Sequence, residues 1–222
     1  PSMLRLIPDE AALLIRSPGA RVLVVADLHL GFERELLASG IRLPSQTGRV
    51  LGRIEELAAR YKSTRIVLLV DVKHTTVEIA PHEYREIPDF LKALLALGEV
   101  TIVPGNHDAT RLGEPQPAIP EEFAPALYAR DRIHMVGNPS AFELHGVEAL
   151  VYHGTSLLDV TSTVPGTSME NPQGAMEVLL RARHLAPTYG GKTQLVPEGL
   201  DYLTIDRVPD IFHTGHIHTV GV

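Results

Sequence analysis

Three runs of aliphatic residues, rich in valine and isoleucine, constrain the fold of this chain more than any other feature. They cover residues 22–26, 66–70 and 100–103. Runs without polar alternation are typical of strands that are buried on both faces of a parallel sheet. Residues 46–61 and 89–97 carry apolar side chains at helical spacing, and a proline precedes and a glycine follows the second of these segments. This alternation of strands and helices predicts an α/β fold.

The remaining segments predict other elements. A hairpin is expected within residues 1–18, and an antiparallel region is expected in the second half of the chain, where three short apolar runs follow one another at residues 132–136, 141–144 and 147–152. Asn171 and Pro172 form a favourable helix start, and this helix is expected to run to about residue 184. With 222 residues and no recognisable linker, residues 1–222 are expected to form a single domain.

The composition excludes several kinds of site. The chain has no cysteine, so a disulfide scaffold, a thiolate zinc site, an iron–sulfur cluster and a cysteine nucleophile are all ruled out. It carries no secretion signal and no apolar run of the roughly 18–20 residues that a membrane helix needs, so a cytoplasmic protein is expected. The net charge of −7 argues against binding nucleic acid through charge alone, and such binding would need a local basic patch, bound cations or a second subunit.

Five apolar runs are each followed by aspartate, asparagine or histidine. Because ligands gather at the carboxyl ends of the strands of an α/β sheet, these side chains are expected to meet at one edge. They are Asp27, His29, Asp71, Asn106, His153, His216 and His218. Most other histidines (His74, His82, His134, His145, His184 and His213) are expected at the surface, although His74 and His213 stand beside the motifs.

These oxygen and imidazole ligands indicate a metal site. The set suits Mn²⁺, Fe or Zn²⁺ and contains too much nitrogen for Ca²⁺ or Mg²⁺. Seven side chains exceed what one ion needs, and with one bridging carboxylate they provide four contacts to each of two ions. Two ions about 3.5–4 Å apart activate a shared water and neutralise charge on a phosphoryl group. A centre of two divalent ions is therefore expected, with Mn²⁺ preferred and Fe or Zn²⁺ as alternatives.

The motifs resemble those of the calcineurin-like metallophosphoesterases. The matching stretches are residues 27–29, Asp71, 105–108, 153–154 and 215–218, which together span most of the chain. The resemblance implies a four-layer α/β sandwich, in which two mixed sheets are flanked by helices around a dinuclear metal centre.

The resemblance also implies a role for each motif residue. One ion would take Asp27, His29, Asp71 and His218, and the other would take Asp71, Asn106, His153 and His216. Asp71 would therefore bridge the two ions. His107 would act as general acid toward the leaving group, and Asp108 would orient His107; an imidazole with an ordinary pKa of ~6.5 suits this proton transfer.

Two halves of the chain resemble two subfamilies. The first half, at residues 26–31 and 71–74, is similar to archaeal phosphoesterases related to the nuclease SbcD. The second half, notably at residues 104–111 and 183–192, is similar to the small, exonuclease subunit of archaeal family D DNA polymerase. The second resemblance implies 3′–5′ exonuclease activity on DNA and a large polymerase subunit as partner, whereas the first implies a second copy of the chain as partner. Candidate contacts to DNA phosphates are Arg111, Arg181, Arg183 and Lys192.

Three hypotheses for function follow. The chain hydrolyses DNA phosphodiester bonds, or it applies the same chemistry to a nucleotide or another phosphodiester, or it is an inactive docking module for a large polymerase subunit. Two departures from the family favour the third. Val70 stands where the family usually has a glycine before the bridging aspartate, and the chain stops at Val222, where the family continues, so the last strands of the second sheet are expected to be missing.

Overall fold

A six-stranded sheet forms the centre of the fold in the computed structural model, which describes residues 3–69, 71–76, 79, 81–143 and 146–221. Its strands follow one another in chain order. They are β1 (Met3–Leu6), β2 (Ala12–Ser17), β3 (Ala20–Ala26), β4 (Arg65–Leu69), β5 (Glu99–Val103) and β6 (Ile133–Met135). β1, β2 and β3 pair antiparallel, and β3 to β6 pair parallel. The expected N-terminal hairpin and parallel sheet are confirmed.

A second sheet and the helices come largely from the other half of the chain. The strands of this sheet are β7 (Ser140–Glu143), β8 (Glu148–Tyr152) and β9 (Ile211–Thr214), with β7 antiparallel and β9 parallel to β8. The helices are α1 (Phe32–Ala38), α2 (Thr47–Tyr61), α3 (Glu83–Leu94), α4 (Pro125–Tyr128), α5 (Leu157–Thr163) and α6 (Pro172–Ala182). None of the described helices is long and apolar enough to cross a membrane.

Side chains that alternate along the strands divide the core into three apolar clusters. Leu23 on β3 packs with residues of α2 and α3, whereas its neighbour Val24 packs against Val151 of the second sheet. On the far side of the second sheet, Tyr152 packs with Leu179 of α6. Since successive side chains of a strand point to opposite faces, the layers run helices, sheet, sheet, helices. The four-layer α/β sandwich is therefore confirmed.

The first short run of the second half was expected to join an antiparallel region, and this is wrong for β6. β6 pairs parallel with β5, with Val100 opposite Ile133. The turn at residues 137–139 then carries the chain from the first sheet to the second instead of closing a hairpin. The long connection from β5 to β6 makes the parallel pairing possible.

Helix boundaries also differ from the expectation. α3 begins at Glu83 and includes Pro88, which was expected to stand before the helix. Proline removes only one helical hydrogen bond, whereas burial of Phe90, Leu91 and Leu94 anchors the rest of the helix in the core. α6 ends at Ala182, two residues early, because Arg183 adopts a left-handed φ of 55°. The short helices α1, α4 and α5 carry too few periodic residues to be recognised from sequence.

Several expectations concern positions outside the described residues. These positions are Val70, the end of the predicted strand at residue 144, His145 and the last residue, Val222.

Leu69 tests the packing of the two sheets. It is fully buried in the cluster between them, so Leu69→Ala is expected to lower the free energy of unfolding by about 2–5 kcal/mol, measured by urea denaturation. Leu37→Ala, at a half-exposed position on α1, is the control and should cost under about 1 kcal/mol. Equal effects of the two substitutions would contradict the assignment of Leu69 to the core.

Candidate metal centre

Strand ends deliver the motif residues to one place. In the first sheet, Asp27 follows β3 directly, Asp71 stands two residues after β4, and Asn106 stands three residues after β5. In the second sheet, His153 follows β8, and His216 stands two residues after β9. Because β3, β4 and β5 are parallel, as are β8 and β9, each sheet presents its carboxyl ends at one edge. The packing of the two sheets brings these edges together.

One group of potential ligands comprises Asp27, His29 and His218, which offer ligand atoms within 4.8 Å of one another. The Nε2 atoms of His29 and His218 are 3.1 Å apart, and Nε2 of His218 lies 3.9 Å from Oδ1 of Asp27. The Asp27 carboxylate also accepts hydrogen bonds from the backbone N–H of His216, at 3.1 and 3.2 Å. This bond ties the first sheet to the loop after β9.

A second group comprises Asp71, His153 and His216, whose ligand atoms also lie within 4.8 Å of one another. Oδ1 of Asn106 is 2.6 Å from Nε2 of His153, which places the amide beside this group. His153 is fully buried, and its Nδ1 is a buried atom without a hydrogen-bond partner among the described residues. Together with Asn106, these two groups contain all seven predicted residues.

Asp71 lies between the two groups. Its Oδ2 is 3.8 Å from Nε2 of His29 in the first group and 3.8 Å from Nε2 of His153 in the second. Its Oδ1 accepts a hydrogen bond of 2.8 Å from the backbone N–H of His107. One carboxylate oxygen is thus held by the protein, and the other faces imidazoles of both groups.

The backbone of the centre is strained. Asp27, His29, Asp71, His216 and His218 all have positive φ, from 44° for His29 to 71° for His216. Residues other than glycine rarely adopt this left-handed conformation, which costs of order 1–3 kcal/mol at each position and concentrates at functional sites. The fold therefore holds these five side chains at an energetic cost.

The donor set fits divalent cations. Imidazole nitrogens face carboxylate oxygens across 3.8–3.9 Å, which is too long for a direct hydrogen bond. Burial, and then repulsion by neighbouring imidazoles, lowers the pKa of His29 to about 3, and burial lowers the pKa of His216 to about 4. Both rings are therefore neutral at physiological pH, which is the form that binds a metal.

His74 belongs to the centre as well. Its Nδ1 is 3.3 Å from Nδ1 of His29, and its Nε2 is 2.6 Å from Oε2 of Glu35. Its backbone carbonyl accepts a hydrogen bond from Nδ1 of His107. The sequence placed His74 beside the motifs, and its position three residues after Asp71 was the only signal.

Asp108 takes a different position from the one expected. Its buried carboxylate accepts hydrogen bonds from the backbone N–H groups of Val72, Lys73 and Gly105, at 2.9–3.2 Å. It therefore joins the loops after β4 and β5, whereas the carbonyl of His74 orients His107. Gly105 permits this close approach, because a β-carbon there would clash with the carboxylate of Asp71.

Three of the four candidate DNA contacts, all arginines, have guanidinium groups that bind other residues of the protein. The guanidinium of Arg111 pairs with Glu198 and donates to the carbonyl of Pro115, so it fixes a loop. Arg181 pairs with Glu177 on α6, and Arg183 donates to two backbone carbonyls, at Ile205 and Asp206. The backbone N–H of Lys192 is held by the carboxylate of Asp159.

The family model for the B subunits of DNA polymerases alpha and epsilon matches residues 61–219, which cover four of the five strand-end motifs. The chain belongs to this family. The recognition drawn from the motifs is thereby confirmed, and the match extends from the end of α2 to the loop after β9.

The chain is also similar to individual archaeal proteins. The chain is 46% identical over 142 residues to the DNA polymerase II small subunit of Halobacterium salinarum, covering 63% of this chain and 28% of that protein. It is 33% identical over 210 residues to the corresponding subunit of Pyrococcus furiosus, covering 88% of this chain and 34% of that protein. The chain therefore spans about a third or less of the length of these relatives.

A solved structure, the nuclease MPE of Pseudomonas putida, is similar at 22% identity with a TM-score of 0.40, over 69% of this chain and 66% of that one. A likeness of this strength supports no statement about activity.

Replacement of Asp71 tests whether its buried carboxylate destabilises the metal-free protein and stabilises the metal-bound protein. Burial, and then the charge of Asp108, raises the pKa of Asp71 to about 8 in the metal-free protein. An acid whose pKa is raised by folding loses stability as pH rises from its ordinary value toward the raised one. In chelator, Asp71→Asn should therefore be more stable than the wild type at pH 8, by a margin that shrinks toward pH 4.

Added Mn²⁺ should reverse that order, because the wild type gains stability by binding and the variant loses a ligand. Thermal unfolding in chelator and in Mn²⁺ provides the measurement. Asp206→Asn, at an exposed carboxylate, is the control and should follow the wild type throughout. A less stable Asp71→Asn protein in chelator at pH 8 would contradict the assignment.

Proposed function

We propose that the chain is a dinuclear-metal phosphodiesterase that hydrolyses DNA phosphodiester bonds as a 3′–5′ exonuclease, within the small subunit of a DNA polymerase. The observation that carries the proposal is the position of Asp71, equidistant at 3.8 Å from an imidazole of each ligand group. A bridging carboxylate between two sets of metal ligands is the arrangement that a two-metal phosphodiesterase needs. Family membership adds support, since its relatives are named as small subunits of DNA polymerase II.

In this proposal, two divalent ions, with Mn²⁺ preferred over Fe or Zn²⁺, are divided between the two groups. Asp27, His29 and His218 would hold one ion, His153, His216 and Asn106 would hold the other, and Asp71 would be shared between them. Bound ions of this kind supply Lewis-acid activation of water and of a phosphoryl oxygen. Burial lowers the pKa values of His29, His153 and His216, so that no proton competes for the lone pairs of these three imidazoles.

His107 supplies the proton for the leaving oxygen. Its Nδ1 donates to the carbonyl of His74, so Nε2 is the nitrogen that faces a substrate. Burial lowers the pKa of His107, and the negative charge of a bound phosphodiester acts in the opposite direction. Protonation of His107 is therefore coupled to substrate binding, and the acid becomes available when the leaving group is present.

Two other functions are compatible with the same family. The centre could act on a nucleotide or another phosphodiester, as in SbcD-related phosphoesterases, or the chain could dock to a large polymerase subunit or to a second copy of itself without catalysis. The names of the relatives favour a polymerase assembly as the setting. Metal analysis separates the docking role from the catalytic ones: about two Mn or Fe per chain indicates an enzyme, and none indicates a docking module.

The exonuclease activity is tested with single-stranded DNA labelled at its 5′ end and incubated with Mn²⁺. The wild type should shorten the strand progressively from its 3′ end, and Asp71→Asn should abolish the reaction because the two ions lose their shared ligand. Metal content is measured on the same samples. Intact DNA in the presence of fully metal-loaded wild-type protein would refute the exonuclease, and hydrolysis of an aryl phosphodiester under those conditions would favour another substrate.

His107→Ala tests the general acid. Loss of a positioned proton donor should lower the rate of DNA hydrolysis by about 10²–10⁴-fold without changing the metal content. His134→Ala, at an exposed histidine on β6, is the matched control and should leave the rate unchanged. An aryl substrate with a good leaving group should be much less affected, and an equal loss on both substrates would argue against proton donation.

A further inference from the structure

A second concentration of charge lies at the opposite end of the first sheet from the metal centre. Arg16, Arg21, Arg60 and Lys62 line a cavity of about 450 Å³ together with Tyr61 and the turn between β2 and β3. We call this cavity the basic pocket. Asp27 leaves the carboxyl end of β3, whereas Arg21 stands near its amino end, so about 20 Å of strand separate the two sites.

The arginines of the basic pocket are arranged at a cost to the folded protein. Arg16 on β2 is paired directly opposite Arg21 on β3. Like charges directly opposite on neighbouring antiparallel strands are destabilising. Arg60 and Lys62 add two further cations from the end of α2, and Lys62 adopts a left-handed φ of 52° there.

No carboxylate of the described residues pairs with these four cations. Nearby arginines do have partners: Arg53 pairs with Glu10 and Glu56, and Arg65 pairs with Glu99. Nε of Arg16 is a buried atom without a hydrogen-bond partner among the described residues. In a chain of net charge −7, this local excess of positive charge indicates a site for an anion.

Tyr61 holds the pocket in shape. Its ring is buried, and the guanidinium carbons of Arg5 and Arg60 lie 5.7 and 5.5 Å from the ring centre. These cation–π contacts fix two guanidinium groups without neutralising them. Arg21 reaches the carbonyl of Lys62 at 3.5 Å, a contact that satisfies one helix-terminal carbonyl and leaves the rest of its guanidinium available.

We propose that the basic pocket binds phosphate groups, as a site separate from the metal centre and independent of its ions. Guanidinium groups present a planar fork of donors that matches phosphate oxygens, and three arginines converge here. The phosphate is carried either by a DNA strand or by a free phosphate or nucleotide. Hydrolysis at the metal centre is not needed for this binding, so failure of the proposed exonuclease leaves the pocket testable.

The test is made on the full chain in chelator, which removes any metal contribution. Inorganic phosphate is titrated while the NMR signal of the Arg16 Nε–H, assigned through Arg16→Gln, is followed. A fluorescent single-stranded oligonucleotide is titrated by anisotropy at several salt concentrations. The double variant Arg16→Gln/Arg21→Gln should bind it about 10-fold more weakly, with a salt dependence reduced by about 0.7 for each phosphate that the variant no longer neutralises.

Arg207→Gln is the control, because it removes the same kind of charge from an exposed arginine that pairs with Glu148. It should bind as the wild type does. The double variant should unfold at or above the wild-type temperature in phosphate-free buffer, because a like-charge pair is removed; a purely structural role would lower that temperature. Should the double variant fail to fold, Arg60→Gln at the exposed end of α2 takes its place.

Response to both phosphate and the oligonucleotide supports the proposal with DNA as the source, and response to phosphate alone supports it with a free phosphate or nucleotide. Three results would overturn it. They are no response to either probe, binding of a glutamate-rich peptide without binding of phosphate, and an equal loss of binding in Arg207→Gln.

Discussion

The carboxylate of Asp71 is the constraint on which the rest of this structure depends. It is almost completely buried, and it faces imidazoles that come from both sheets. This requires the two sheets to be aligned so that their carboxyl ends meet. The apolar cluster between the sheets provides that alignment directly beneath the centre: Leu69 stands two residues before Asp71, and Val151 stands two residues before His153. The same short strands therefore determine both the packing between the sheets and the positions of the residues of the centre.

The centre costs the metal-free protein stability in two ways. Left-handed backbone at five ligand positions stores strain, and burial raises the pKa of Asp71 while it lowers those of His29 and His216. The residues of the centre depart from the usual preferences for backbone conformation and for exposure of titratable groups, whereas the strands beside the centre follow them. This is expected where function competes with stability. Asp108 offsets part of this cost, because its carboxylate organises the backbone of both loops that carry ligands.

The sequence could predict which residues meet at this edge, because their position follows from two simple patterns. Aliphatic runs locate the strands, and the polar residues after them locate the edge. The same reasoning could not predict contacts made by the backbone. The acceptor for Nδ1 of His107 is the backbone carbonyl of His74, and the sequence pattern does not show that this carbonyl takes the place expected for the carboxylate of Asp108. It also placed β6 in the wrong sheet, because short apolar runs that are close in sequence look alike whether they pair with the strand before or the strand after.

The net charge was the least informative feature of the sequence, because it sums charges that the fold places far apart. Acidic residues of the centre contribute to the total of −7, and bound divalent cations would locally reverse their effect. At the other end of the same sheet, the arginines of the basic pocket create a positive region that the total conceals. A parallel sheet separates its two ends by the length of its strands, so one chain can place a cation-binding edge and an anion-binding edge about 20 Å apart. The net charge of such a chain therefore does not report the charge at either end of its sheet.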